Sequence, residues 1–172
     1  MPRLPLLILA AAAGWWTAAP LPATAAERSR AGLLAHYDFR EPDGDVVKDV
    51  SGAGTPVDLR IADPHAVRRI PGALEVTGRT ILRSQRATRL SDAVRVSGKL
   101  TVEAWLRPAA TDQNGPARIV TLSPNGSQRN VTLGQDGAKF DVRMRTTQTS
   151  DNGIPSTSTP DGSLTTNLTH VV

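Results

Sequence analysis

From Leu33 onward the chain is a succession of short apolar or alternating runs, each closed by Gly, Pro, Asp or Asn before it can lengthen. That punctuation belongs to an antiparallel all-β domain and leaves little room for helices. The spacing predicts strands at 33–39, 57–61, 73–76, 81–84, 100–107, 118–122, 130–133 and 139–145. One stretch departs from it. In residues 87–98 (ATRLSDAVRVSG), Asp92 is placed to cap a single helical turn that Gly98 then ends.

The clearest local element is the hairpin in VTLGQDGAKFDVRMR, where Gln135-Asp136-Gly137 supplies turn chemistry between two alternating runs. Alternation along its second strand sets Phe140, Val142 and Met144 on one face and Asp141, Arg143 and Arg145 on the other, as in a strand buried on one side. The segment 146–163 is rich in Thr, Ser, Asn and Gly, and its Pro155 and Pro160 argue against regular structure. Such a loop either carries binding residues at the rim of a sandwich or is disordered surface.

Ahead of this domain, residues 1–26 have the three parts of a secretory signal peptide: Arg3, an apolar run (LPLLILAAAAGWW), and the small-residue cleavage site Ala23-Thr24-Ala25. The apolar run is shorter than the roughly 20 residues that a membrane-spanning helix requires. The expectation is a secreted or periplasmic product with no membrane insertion after cleavage, its mature domain occupying 27–172. Cysteine is absent, so burial alone must stabilise the domain, which for an exported chain points to a bacterial source.

The formal net charge is +4 and almost all of the positive charge is arginine, with eight arginines from Arg60 to Arg95. A basic face of this kind attracts sulfated polysaccharide or an anionic surface, and export makes nucleic acid the least suitable partner. Arginines alternating along solvated strands also discourage edge-to-edge pairing, which would explain them without any ligand.

Three stretches carry a resemblance: GLLAHYDF at 32–39, DVSGAG at 49–54 and LTVEAWLRP at 100–108. They resemble the opening strand, the early Asp-Ser-Gly turn and the central Trp strand of the laminin-G-like, concanavalin A-type domains. The resemblance implies an antiparallel two-sheet jelly-roll sandwich that binds carbohydrate or protein and only sometimes hydrolyses sugar. In that family a segment like the closing TNLTHVV leads into the middle of the fold. The jelly roll is therefore expected to be incomplete at its C-terminal end, the chain being the N-terminal portion of a longer product; the alternative is a natural minimal sandwich. The runs ARIVTLS, RNVTLGQDG and VRMRTT resemble a subgroup found in large exported bacterial proteins with further modules.

Glycoside hydrolysis ordinarily requires two carboxylates at a fixed separation. The glutamates here are Glu27, Glu41, Glu75 and Glu103, with no second glutamate within strand reach of any of them, so no catalytic residues are expected. On the strand at 100–107, alternation puts Glu103, Trp105 and Arg107 on one face, a set able to grip a sugar by stacking and hydroxyl hydrogen bonds, or to form a structural Glu-Arg pair beside a packed indole. Aromatic residues are scarce: past the leader the chain offers Tyr37, Phe39, Trp105 and Phe140.

Calcium is the one cofactor that the resemblance implies. Asp49 in DVSGAG, helped by Asp43 and Asp45, would be its first ligand set, since a hard ion is held by six to eight oxygens. The competing reading is an Asx-type turn made by Asp49 and Ser51. His36, His65 and His170 lie in separate elements without zinc-ligand spacing. The sequence thus reads as a noncatalytic recognition module for a polysaccharide or glycan. The alternative is a spacer or docking surface for a protein partner or for other domains of the same longer chain.

Overall fold

The computed structural model describes residues 30–172; the secretory leader expected at 1–26 lies outside the described residues. Short β-branched and aromatic runs between turn residues form strands that pair antiparallel throughout, giving a β-rich protein as the punctuation predicts. Strands β1 (Val46–Val47), β2 (Leu59–Ile61) and β5 (Leu82–Arg83) make a three-stranded sheet in the order β1-β2-β5. Between them in sequence, β3 (Val67–Ile70) and β4 (Ala73–Val76) form a hairpin. A two-stranded sheet joins β6 (Ala104–Leu106) to β11 (Thr169–Val171). The largest sheet has the order β10-β9-β8-β7, from β7 (Ala117–Leu122), β8 (Val131–Asp136), β9 (Lys139–Met144) and β10 (Thr157–Ser158).

Buried apolar side chains hold these sheets. Leu133, Phe140 and Leu164 are buried together, and Val102 ahead of β6, Leu106 from β6, Ile119 from β7 and Val171 from β11 pack against them. The two-stranded and four-stranded sheets therefore face each other across this core. Val47, Val57, Ile61 and Ala66 are the buried apolar residues around the three-stranded sheet. Val47 and Ile61 are strand residues whose apolar side turns inward, as period-2 alternation requires.

Four expectations are corrected. The helix α1 (Thr88–Ser97) is ten residues long rather than one turn, and Asp92 lies inside it, paired with Arg95 at 2.9 Å, instead of capping it. Ala87 occupies the N-cap with no side-chain hydrogen bond, while Gly98 closes the helix in the left-handed conformation as expected. Leu90, Ala93 and Val94 are its half-buried face, at helical spacing. The spacing is hidden in sequence by two valines and a threonine, residues that favour strands.

The second correction concerns residues 33–39, which form no ladder. The backbone of His36 bridges to Val50 and to the Asp49 side chain, and no strand lies beside the segment among the described residues. Third, β9 does not bury one face cleanly: Phe140 is buried, but Val142 and Met144 are exposed, and Asp141 is buried on the supposedly solvated side. Ser158 and Arg143 supply Asp141 with hydrogen bonds there, while Val142 and Met144 are left partly in solvent. Fourth, the segment 146–163 contains regular structure: Thr157–Ser158, between its two prolines, pairs with Asp141–Val142 of β9. Gly153 lies so close to β9 that a Cβ would meet the Met144 nitrogen at 2.8 Å, a close approach that requires glycine.

Candidate functional site

On the strand around β6 the expected alternation is realised. Glu103, Trp105 and Arg107 are exposed, and Val102 and Leu106 turn toward the core. Trp105 is 59% exposed, unusual for the largest apolar side chain in the domain. Antiparallel register sets His170 of β11 directly opposite Trp105. The two rings stack, with centroids 4.5 Å apart and planes 14° from parallel. His170 Nε2 also shares a hydrogen bond of 2.8 Å with Glu103 Oε1.

The indole thus has one face against imidazole, and a carboxylate is hydrogen-bonded to that imidazole. Both groups lose rotational freedom before any ligand arrives, which lowers the entropic cost of binding. The arrangement offers an aromatic surface flanked by hydrogen-bonding groups. Glu103 and Arg107 join this face where the sequence places them, and His170 is the residue that sequence reading assigns no role. Its signal lay in the alternation of Leu168, His170 and Val172, but the register of β11 against β6 was not legible. Two shallow grooves lie elsewhere. One, of about 310 Å³, is lined by Arg40, Glu41, Pro42, Arg69, Ile70 and Pro71. The other, of about 420 Å³, includes Val142, Met144 and Pro155.

The Asp49 turn has a different character. Asp49 Oδ1 accepts from the backbone N–H groups of His36 (3.1 Å) and Ser51 (3.0 Å), and Oδ2 accepts from Val57 N–H (3.0 Å) and from Arg89 Nη2 (3.0 Å). Its side chain is 1% exposed. Burial pushes this carboxyl up, but hydrogen bonds from Ser51 and from the Val57 and His36 backbone outweigh it and hold its pKa at about 2. Tyr37 beside it donates to the Val57 carbonyl at 2.6 Å, and burial together with the Asp49 charge pushes its hydroxyl up to about 12.

Asp49 therefore ties together residue 36, its own turn, residue 57 and helix α1. Both its oxygens face N–H donors, which a cation would have to displace. Asp45 is paired with Arg60, and Asp43 is exposed. Among the described residues no group of three or more carboxylate or imidazole side chains converges on a point suited to a metal. The Asx-type turn describes Asp49 and Ser51, with both Asp49 oxygens taken by N–H donors.

No helix among the described residues is long and apolar enough to cross a membrane. Comparison with protein-family models, with curated proteins and with solved structures gave no match.

Proposed function

We propose that this chain is a noncatalytic, extracytoplasmic recognition module of the laminin-G-like, concanavalin A-type jelly-roll class, with carbohydrate as its ligand. The observation that carries this reading is the exposed Trp105, stacked on His170 beside Glu103. A pyranose ring stacks its apolar face on the free side of the indole, and Glu103, His170 and Arg107 hydrogen-bond its hydroxyls. A binding rather than hydrolytic role follows from the single glutamate on this face, since a second positioned carboxylate is the ordinary requirement for glycosidic cleavage. Calcium is left out of the proposal because the Asp49 oxygens are already occupied by N–H donors.

The test is retention of the full chain on a panel of insoluble polysaccharides. At least one polysaccharide should retain it, with affinity falling about tenfold or more in Trp105→Ala and less in His170→Ala. Absence of retention across the panel, or binding unchanged in Trp105→Ala, would end the carbohydrate reading. The spacer alternative makes the opposite prediction, because a spacer has no use for an exposed indole.

A further inference from the structure

The side of the four-stranded sheet that carries Asp141 holds a concentration of positive charge that the sequence does not announce. Register aligns Arg118 with Gly134 and Gly134 with Asp141, and sets Arg143 in the next row opposite Thr132. Arg129 enters from the turn ahead of β8. Arg118 Nη2 and Arg129 Nε both donate to one oxygen, the Gly126 carbonyl, at 3.2 and 3.3 Å. Arg129 is only 8% exposed, and its Nη1 is buried with no hydrogen-bond partner.

Arg143 is held by Asp141 at 3.1 Å, and Asp141 also accepts from Ser158 at 3.0 Å. Of the three guanidiniums, Arg143 is the one paired with a carboxylate. Among the described residues no acid pairs with Arg118 or Arg129. Burial, and then the charges of Arg118 and Arg143, push the Arg129 pKa down from its ordinary value. What the cluster lacks is negative charge: a buried guanidinium with an unmade hydrogen bond and like-charged neighbours is costly to hold.

We propose that Arg118, Arg129 and Arg143 form an oxyanion site that takes a sulfate- or phosphate-type group at the place where Arg118 and Arg129 now share a neutral carbonyl. Planar guanidinium forks match the paired oxygens of such groups, and charge-assisted bonds are stronger than those to a carbonyl. Residues 124–128, which include Gly126, are exposed, so an anion reaches the cluster without opening the core. The site uses none of the residues around Trp105 and does not depend on the carbohydrate reading. Its ligand is either a free inorganic anion or the same group carried as an ester on a polysaccharide.

The test is ¹⁵N NMR of the full chain titrated with sodium sulfate, against sodium chloride at equal ionic strength. Sulfate should give saturable shifts at the Gly126 amide and at the Nε–H of Arg129 and Arg143, weakened about tenfold or more in Arg118→Gln. Arg118 is exposed, so its replacement leaves the fold standing. Dextran sulfate and neutral dextran separate the two sources. Shifts produced by dextran sulfate at about tenfold lower sulfate-group concentration identify a polymer ester, and shifts produced by inorganic sulfate alone identify a free anion. The proposal is overturned if the shifts rise without saturating, if they spread over the arginines at 60–95, or if Arg118→Gln leaves them unchanged.

Discussion

The arginines of this chain fall into two regions with opposite electrostatic circumstances. Of the eight from Arg60 to Arg95, five are in ion pairs: Arg60 with Asp45, Arg68 with Glu75, Arg69 with Glu41, Arg89 with Asp49, and Arg95 with Asp92. On the four-stranded sheet, Arg143 is paired with Asp141, while among the described residues Arg118 and Arg129 stand in no ion pair. The crowded stretch in sequence is thus largely neutralised in space, while three arginines spread along the chain accumulate unmatched charge. Linear density is a poor guide to local potential, because antiparallel register and turns decide which side chains meet.

The comparison breaks most severely at the buried carboxylates. Asp49→Ala removes the acceptor of three backbone N–H groups and leaves the Arg89 guanidinium beside them without its partner. Urea denaturation should show a loss of about 4 kcal/mol, the range for breaking a buried ion pair from one side. The same carboxyl gives the pH dependence. Its pKa of about 2 in the folded protein lies below the ordinary value of 3.8, so the stability it supplies is present above pH 4 or so. That stability is lost as pH falls toward 2. The urea midpoint should therefore drop between pH 4 and 2, and Asp49→Asn should flatten that limb; an equally steep limb in the variant would remove Asp49 as its cause.

Asp141→Asn should rank second, costing ~3 kcal/mol in the same measurement. The substitution keeps the shape of the side chain but takes away the negative charge that is paired with Arg143 and acts on Arg129. It should also make the protein markedly salt-dependent, gaining stability as ionic strength rises and the arginines are screened from one another. A loss no greater than that of an exposed ion pair, measured at low salt, would show that the three guanidiniums do not repel one another appreciably.

How much of this was legible in the chain differs between elements for physical reasons. The face of β6 that exposes Glu103, Trp105 and Arg107 follows from alternation alone, and the strands β4, β7 and β9 fall within a residue of where the turn residues bound them. Helix α1 escaped because Val94 and Val96 disguise its spacing and Ala87 gives no capping signal. Two-residue strands such as β1 and β10 are set by their partners and carry no pattern of their own. The place of His170 depends on register between strands far apart in sequence, and the arginine cluster on the register of β7 against β8, which shifts between Arg118 and Val120; a single chain encodes neither in readable form. Asp49 was legible as a turn residue. Its bond to Arg89 was not, since that partner lies forty residues on, in the unforeseen helix.

The smallest expected effect has the opposite sign and is the most discriminating. In the first region, Arg89→Gln should destabilise, because it strands a carboxylate that is 1% exposed. In the second, Arg118→Gln removes a like charge from the neighbourhood of Arg129 while a glutamine amide still reaches toward the Gly126 carbonyl. It should leave stability unchanged or raise it by about 0.5 kcal/mol at low ionic strength, within the range of exposed charge interactions. The gain should vanish as salt is added, because screening already relieves the repulsion in the parent chain. Both variants lose one positive charge from the same protein, so net charge cannot account for opposite signs; only the partners that each guanidinium meets can do so. Equal destabilisation by the two substitutions at low salt would erase the distinction between the regions and, with it, the electrostatic reason for an anion to bind at Arg118.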